Sequence, residues 1–219
     1  MSPRSTSTAP ARLNLETIVD AAAALIDADG FEALTMRRLA DRCEVGVMTL
    51  YGYFRTKEEL LGALANRSLA EIELPGGDGL TWQEQVMTVF RSVRQTFLDH
   101  PELARIVAIQ PIDGIAAYRG AEVVFGAFAR GGLSDTEAVA AFETLTSFTA
   151  GFTLREAART AEPAHQTDPL RTIRSLPAED FGHVIGVVGL MAARGGEQQF
   201  EDGLALVMAG IAARAGAEA

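Results

Sequence analysis

Cysteine, tryptophan and lysine each occur only once in this sequence of 219 residues. With Cys43 as the single thiol, no disulfide can form within the chain, which fits a reducing compartment such as the cytoplasm. Cys43 lies near the end of a predicted helix. A packing role is favoured over a redox sensor, because no second cysteine is present to resolve an oxidised thiol.

Long apolar runs are also missing. The longest, from Val184 to Ala193, is far shorter than the ~20 residues that a membrane-spanning helix needs. The first ten residues contain no apolar stretch of the kind found in signal peptides. These absences predict a soluble, cytoplasmic protein.

Basic residues are outnumbered, since 19 Lys and Arg face 29 Asp and Glu and leave a net charge of −10. This balance at first argues against a nucleic-acid partner. Several basic residues nevertheless lie close together: Arg37, Arg38, Arg42, Arg55 and Lys57. An acidic protein can bind DNA through one basic face, because phosphate contacts are short-ranged and screened by salt. The alternative is that these are ordinary solvated surface charges.

Strand-like alternation is absent, whereas helical signals recur along the whole chain. Four helices are predicted first, with the N-caps Asn14, Thr35, Gly46 and Thr56, and a capping box at Thr56–Glu59 opens the fourth. The first should end near residue 27 and the fourth near residue 73. The glycine-rich segment 75–79 then reads as a linker.

A second group of helices is predicted after this linker. Capping-box patterns open two of them, at Thr81–Glu84 and Ser134–Glu137. The expected spans are about 82–99, a short helix from 101, then 115–129, 135–160, 178–193 and 197–214. Residues 161–177 contain three prolines and are predicted to form a loop.

The segment 46–60 carries the most informative pattern. A short helix bearing Thr49, Tyr51 and Tyr53 follows another short helix, and this tandem is typical of a helix-turn-helix DNA reader. Thr and Tyr hydroxyls can bind phosphates, and apolar Val47 and Met48 can contact thymine methyl groups. Bracing apolar residues are available at Leu39, Val45, Leu50, Phe54 and Leu60.

Residues 15–60 resemble the N-terminal domain of TetR-type transcriptional regulators. The matching runs are Thr49-Leu50-Tyr51-Gly52-Tyr53-Phe54 and Lys57-Glu58-Glu59-Leu60. The resemblance implies that the DNA backbone is contacted by Thr35, Arg37, Thr49, Tyr51, Tyr53 and Lys57. It places Val47, Met48 and Gly52 nearer the bases, and Arg38 is assigned to the same DNA-binding surface.

Two features near the reader depart from the family pattern. Glu44-Val45-Gly46 stands where the family often has Gly-Val-Ser, so the cap is weaker and a negative charge lies near the DNA. In the N-terminal arm, residues 1–13, Arg4 and Arg12 could follow the minor groove. The alternative is a disordered arm.

Residues 80–215 resemble the effector domain of tetracycline-type repressors. The supporting pieces are Trp82-Gln83, Phe152-Thr153-Leu154 and Gln199-Phe200 with Gly203-Leu204. The resemblance implies a homodimer joined by the long helix and the last helix of each subunit. Two stripes at helical spacing would allow this: Phe142, Leu145, Thr149, Phe152 and Glu156 in one helix, and Phe200, Leu204, Val207 and Ile211 in the other. A dimer would place two readers ~34 Å apart on a pseudo-palindromic operator.

Tetracycline repressors hold a magnesium–drug complex with histidine, asparagine and carboxylate groups. Here apolar residues take most of those positions, namely Ile72, Val89, Val93 and Val107. His100, His165 and His183 form no ligand pattern, so neither a metal nor another cofactor is expected. An apolar ligand pocket is expected instead, lined by Val89, Val93, Val107, Phe125, Phe148 and Phe152, with Gln110 and Thr149 as polar anchors. For each of these residues the alternative is ordinary core packing.

The sequence therefore predicts an all-α protein, with a helix-turn-helix DNA-binding domain (14–74) followed by a larger ligand-binding and dimerisation domain (80–219). The predicted function is a DNA-binding transcriptional regulator, a repressor released from its operator by a small apolar ligand. The alternative is a ligand-binding helical module that has lost specific DNA recognition, which the net charge, Glu44 and Gly46 favour. No nucleophile elbow, His/Glu metal pair or phosphate loop suggests an enzyme.

Overall fold

A computed structural model describes residues 13–76, 79–109, 112–161, 169–193 and 195–215. Within these ranges the chain is all-α, as predicted, and contains no strand. The N-terminal helices are α1 (Leu15–Asp29), α2 (Met36–Arg42), α3 (Val47–Tyr51) and α4 (Lys57–Leu69), with a 3₁₀ turn at Phe31–Ala33. The remaining helices are α5 (Trp82–Asp99), α6 (Pro101–Ile109), α7 (Ile115–Arg130), α8 (Asp135–Ala161), α9 (Pro169–Arg174), α10 (Ala178–Ala193) and α11 (Gly196–Ala215).

Reciprocal capping bonds begin α5 and α8, so two of the three predicted capping boxes are confirmed. The Thr81 backbone N–H donates to the Glu84 carboxylate at 2.8 Å, while Glu84 N–H donates to Thr81 Oγ1 at 3.2 Å. Ser134 and Glu137 exchange the same two bonds, at 3.0 and 3.4 Å. Each pair satisfies backbone donors that a helix start leaves without an internal partner.

Helix α4 begins at Lys57 after the N-cap Thr56, as predicted, but one of its capping bonds and its end differ from the prediction. Thr56 Oγ1 accepts from Glu59 N–H, but the Glu59 carboxylate accepts from Arg55 N–H at 2.6 Å instead of closing a box with Thr56. The helix ends at Leu69 rather than near residue 73. Pro75 disfavours helical geometry in Leu74 alone, so it does not by itself account for the end at Leu69.

Two smaller differences follow from local backbone geometry. The first helix is two residues longer than predicted and stops at Gly30, whose φ of 84° is accessible to glycine. The segment 161–177, predicted to be a loop, contains the short helix α9. Residues 162–168 of this segment, which include His165, lie outside the described ranges. Proline suits the first turn of a helix, which is where Pro169 lies.

Helix α4 belongs to two apolar cores. The first core joins α1, α2, α3 and α4 around the fully buried residues Ile18, Leu34, Leu39, Leu50 and Leu60. A second cluster packs Ala65 of α4 against Phe97 of α5, Leu103 of α6 and Ala150 of α8. The four helices that carry the reader are thus tied to the C-terminal helices through α4.

The two stripes predicted to form a dimer bundle are mostly buried within the subunit itself. Six of their members are buried in the single chain: Leu145, Thr149, Phe152, Phe200, Leu204 and Ile211. The large exposed apolar residues of this region lie elsewhere, mainly along α10. Within the described ranges, no helix is both long and apolar enough to span a membrane.

Candidate DNA-reading surface and ligand cavity

Helices α2 and α3 form a compact helix-turn-helix unit. Thr35 caps α2 by accepting the Arg38 N–H at 3.2 Å, whereas Gly46 caps α3 without a side chain. The turn between the helices contains Glu44 at a φ of 56°, a left-handed conformation that favours glycine. Leu50 anchors α3 because its side chain is fully buried.

The outward face of α3 and the residues after it present the side chains predicted to meet DNA. Met48 is 80% exposed, and Tyr51 and Tyr53 are 41% and 39% exposed. Thr49 and Gly52 are also exposed, while Val47 is half-buried against the N-terminal core. Tyr53 OH donates to the Leu13 carbonyl at 3.0 Å, so this hydroxyl is already engaged.

The basic residues near the reader are in different environments. Arg37 and Arg42 are exposed, but Arg38 is paired with Asp29 at 2.5 Å. Lys57, at the first turn of α4, has its ammonium 5.7 Å from the centroid of the Phe31 ring. Of the basic residues assigned to the DNA-binding surface, Arg38 is therefore the one whose charge is offset by a carboxylate. Arg4 and Arg12 lie outside the described residues.

Phe31 links the reader side to the C-terminal helices. Arg105 of α6 lies over the same ring, 5.1 Å from its centroid, and also pairs with Glu32 at 3.1 Å. Cations are attracted to aromatic faces, so the 3₁₀ turn after α1 is held from both α4 and α6.

Cys43 is half-buried at the end of α2. Burial raises the pKa of its thiol, although the neighbouring Arg42 opposes this effect. A raised pKa lowers the fraction of reactive thiolate, which suits a packing role.

A cavity of about 820 Å³ lies among the C-terminal helices and the end of α4. Of the predicted pocket residues, Val89, Val93, Val107 and Phe125 line it. Its walls also include residues that the sequence analysis missed, among them Phe90, Phe97, Asp113, Tyr118, Phe142 and Glu143. A usable signal was the run of small residues on α7 (Ala116, Ala117, Gly120 and Ala121), because small side chains leave room beside a helix.

Three predicted pocket residues lie elsewhere, and Gln110 is outside the described ranges. The Phe148 and Phe152 rings pack against Phe200 of α11, each with centroids 5.5 Å from the Phe200 ring. Thr149 is fully buried, and its hydroxyl has no hydrogen-bond partner among the described residues. Their face of α8 turns toward α11 and the core rather than toward the cavity, which accounts for the difference.

Asn66 connects α4 directly to the cavity wall. Its Oδ1 accepts from the backbone N–H groups of Ala116 and Ala117, at 2.9 and 3.4 Å. Gly114, the N-cap of α7, contributes no side-chain bond, and a Cβ at that position would collide with Asn66. A side chain of the reader-bearing α4 thus caps a helix whose first turns line the cavity.

In the described part of the chain, no cluster of three or more His, Cys, Asp or Glu side chains is arranged to hold a metal ion.

Similarity to known proteins covers both halves of the chain. Residues 18–64 match the bacterial regulatory proteins of the tetR family, and residues 74–215 match the tetracyclin repressor-like C-terminal domain. A curated HTH-type transcriptional regulator of Saccharopolyspora erythraea is 30% identical over 209 residues, which cover 94% of this chain and 87% of that protein.

Two solved proteins share the fold. Apo ActR of Streptomyces coelicolor is 33% identical with a TM-score of 0.85, covering 97% of this chain and 100% of its own. ActR in complex with actinorhodin is 31% identical with a TM-score of 0.84, at 94% and 100% coverage. BioQ with its double-stranded DNA operator is 27% identical with a TM-score of 0.67, at 92% and 99% coverage.

A helix-turn-helix reader joined through α4 to a helical domain with a large cavity defines a ligand-responsive, DNA-binding transcriptional regulator. With both of its halves matched, the chain belongs to the TetR family of bacterial regulatory proteins.

Proposed function

We propose that this protein is a homodimeric repressor that binds a pseudo-palindromic operator and leaves it when a small, mainly apolar molecule fills the cavity. The observation that carries this proposal is the position of α4. Its first residue, Lys57, lies beside the reader, and its last residue, Leu69, lines the cavity. One rigid helix therefore touches both sites.

The proposed DNA contacts follow from exposure and chemistry. Arg37, Thr49, Tyr51 and Lys57 would bind phosphates together with Thr35, because their donors lie on or beside the reader. Arg38 and Tyr53 would join them only by exchanging Asp29 and the Leu13 carbonyl for phosphate. Met48, Val47 and Gly52 would approach base edges in the major groove. BioQ, which shares the fold, is known in complex with its operator DNA.

The proposed ligand site is the cavity among α5, α6, α7 and α8. Its volume of about 820 Å³ lies within the usual range for small-molecule sites, and most of its lining is apolar. ActR has been solved in complex with actinorhodin, and we extend to this chain the binding of a small molecule, which we assign to this cavity.

Release would follow from a difference in ligand affinity between two conformers. A ligand that fills the cavity presses on the end of α4 and on the first turns of α7, to which Asn66 is bonded. In the conformer that the ligand favours, the spacing of the two readers would no longer match successive major grooves. The ligand would therefore weaken DNA binding. The size of that effect equals the ligand's differential affinity for the two conformers.

The test is binding of the purified protein to DNA flanking its own gene, measured by fluorescence anisotropy at two salt concentrations. We expect saturable binding that outcompetes random DNA and weakens as salt rises, because phosphate contacts release counterions. Tyr51→Ala and Lys57→Ala should each weaken binding. Arg171→Ala, which removes one positive charge from α9, is the matched control and should bind as the unaltered protein does.

The outcomes separate the parts of the proposal. Specific binding that neither reader variant weakens would keep the regulator and discard these residue assignments. If no genomic fragment is bound specifically, even in a genome-wide selection, the protein would instead be a ligand-binding module without DNA recognition.

A further inference from the structure

The segment that forms the reader carries no charge. Between Glu44 and Arg55, residues 45–54 contain no acidic or basic residue, no histidine, no asparagine and no glutamine. Paired hydrogen bonds to base edges come from arginine or lysine on guanine and from asparagine or glutamine on adenine. Helix α3 therefore has no side chain that can make such a contact, and Gly46 and Gly52 at its two ends add none.

The polar side chains of residues 45–54 are three hydroxyls. Tyr53 OH already donates to the Leu13 carbonyl at 3.0 Å. Thr49 and Tyr51 are exposed, and each offers one hydroxyl. A hydroxyl can both donate and accept, so it can bond to any of the four bases and distinguishes poorly among them. Hydrogen bonding by this segment thus gives little sequence preference.

Met48 offers a different kind of contact. At 80% exposed, it exceeds every other large apolar residue of the described ranges, and it is the second residue of α3. The N-terminal residues of a reader helix are those that meet base edges. A thioether side chain is flexible and polarisable, so it packs well against a small apolar group. Val47 beside it is half-buried against the N-terminal core and has less surface to offer.

We propose that α3 selects its operator chiefly through the 5-methyl groups of pyrimidines, and that Met48 is the residue that contacts them. The inference rests on the proposed function, which places α3 in the major groove, and adds the chemical group that is read. Thymine presents this methyl group in the major groove. Packing Met48 on it removes apolar surface of both partners from water. Guanine contacts, where the operator has them, come from exposed arginines outside the segment, such as Arg37 or Arg55.

Base analogues that differ only in this methyl group test the inference. The probe is the duplex that the purified full-length protein selects most strongly from a random-sequence library, with binding measured by fluorescence anisotropy. Each thymine of a half-site is replaced in turn by deoxyuridine, which lacks the methyl group and keeps the same base pairing. We expect replacement at the contacted position to weaken binding roughly four-fold, and in both half-sites roughly fifteen-fold. Deoxyuridine in a random duplex should change nothing, because non-specific binding depends on phosphates.

Cytosine separates the methyl group from the hydrogen-bonding pattern of the base pair. At the contacted position, cytosine and 5-methylcytosine differ by the methyl group alone, and both differ from thymine in their hydrogen-bonding groups. We expect 5-methylcytosine to bind roughly four-fold more tightly than cytosine, because the same apolar contact is restored. If the methyl group matters on thymine but not on cytosine, the deoxyuridine effect reflects the shape of the duplex, and the inference fails.

Variants of Met48 assign the contact. Met48→Ala should bring both methyl ratios, thymine to deoxyuridine and 5-methylcytosine to cytosine, close to one, because the shortened side chain loses the contact. Met48→Leu keeps an apolar side chain of similar volume and should retain most of both ratios. Ile115→Ala is the matched control, because it shortens a 67% exposed apolar residue on α7. Both ratios compare two duplexes on one protein, so a general loss of stability does not alter them.

The opposite results are distinguishable from a failure of the proposed function. Specific binding that ignores deoxyuridine at every position, or a selected half-site without thymine, would leave the regulator in place and discard methyl reading. Methyl ratios that survive Met48→Ala would discard Met48 as the contacting residue. If the library yields no preferred duplex, specific DNA recognition itself fails, and this inference fails with it.

Discussion

Glu44 is the one non-glycine residue with a positive φ in the described part of the chain. Its φ of 56° places the left-handed turn of the helix-turn-helix unit on a residue with a Cβ, where glycine would be unstrained. The family pattern often has glycine here, so the chain carries local strain between its two DNA-reading helices. The sequence revealed the departure, and the backbone shows its physical consequence.

At the residue scale, we expect Glu44→Gly to raise the free energy of unfolding by about 0.5 to 1 kcal/mol, because the new residue adopts the turn without steric strain. Chemical denaturation at one pH measures this change. Glu44→Ala removes the same carboxylate but keeps Cβ, so it should give no such gain. If both variants stabilise equally, charge rather than backbone strain is the cause.

At the scale of helices, Asn66 joins two elements that are nearly fifty residues apart in sequence. We expect Asn66→Ala to lower the free energy of unfolding by about 1 kcal/mol, because the N-terminal amides of α7 lose their side-chain acceptor. Asn66→Asp retains an acceptor and should stay close to the unaltered protein. Denaturation curves of the three proteins give the comparison.

Coupling between DNA binding and the cavity wall gives a second measurement on the same Asn66 variants, by hydrogen exchange. Linkage is reciprocal, so DNA binding should change the hydrogen exchange of the amides of Ala116 and Ala117 if α4 transmits the signal. We expect this response in the unaltered protein and in Asn66→Asp, and its loss in Asn66→Ala. An unchanged response in Asn66→Ala would show that the signal travels by other contacts, such as those of Arg105 with Phe31.

The capping boxes of α5 and α8 predict a dependence of stability on acid. Hydrogen bonds from Thr81 lower the pKa of Glu84, and those from Ser134 lower the pKa of Glu137. The folded-state pKa of each of these carboxyls lies below its unfolded value. The stability that each carboxylate contributes is therefore fully present above the unfolded pKa, and it is lost as pH falls through the folded pKa. Stability should therefore decline below about pH 5.

Glutamine tests this dependence, because it keeps a capping acceptor but does not titrate. In the double variant Glu84→Gln with Glu137→Gln, we expect a shallower loss of stability between about pH 6 and about pH 3. Denaturant midpoints across that range measure the slope. A slope identical to that of the unaltered protein would exclude these two carboxylates as a source of acid sensitivity.

At the scale of the whole molecule, α10 leaves an apolar surface uncovered in a single subunit. Its exposed large residues are Phe181, Val184, Val187, Leu190 and Met191, and Leu206 of α11 is 76% exposed. Exposed apolar residues grouped on one helix mark an association site. We therefore propose that the homodimer forms through α10 and the outer face of α11.

Charge placed on this surface should separate the subunits. We expect Leu190→Arg and Leu206→Arg to shift the protein from dimer to monomer. Operator binding should weaken as well, because a monomer carries one reader and contacts only one half-site. Light scattering after gel filtration measures the mass. Ile115→Arg alters an equally exposed apolar residue on α7 and should remain dimeric; a dimer in all three variants would place the interface elsewhere.

The helix starts, the tandem of short helices and the identity of the reader side chains were readable from the sequence, because each depends on residues within a few positions of one another. Thr81 with Glu84, and Leu50 between exposed Thr49 and Tyr51, are local patterns of this kind. Tertiary structure alone decided which faces of α8 and α11 turn inward, that Asn66 caps α7, and that Asp113 and Glu143 reach one cavity. Those relations depend on how distant helices pack and rotate against one another, which no short stretch of sequence encodes.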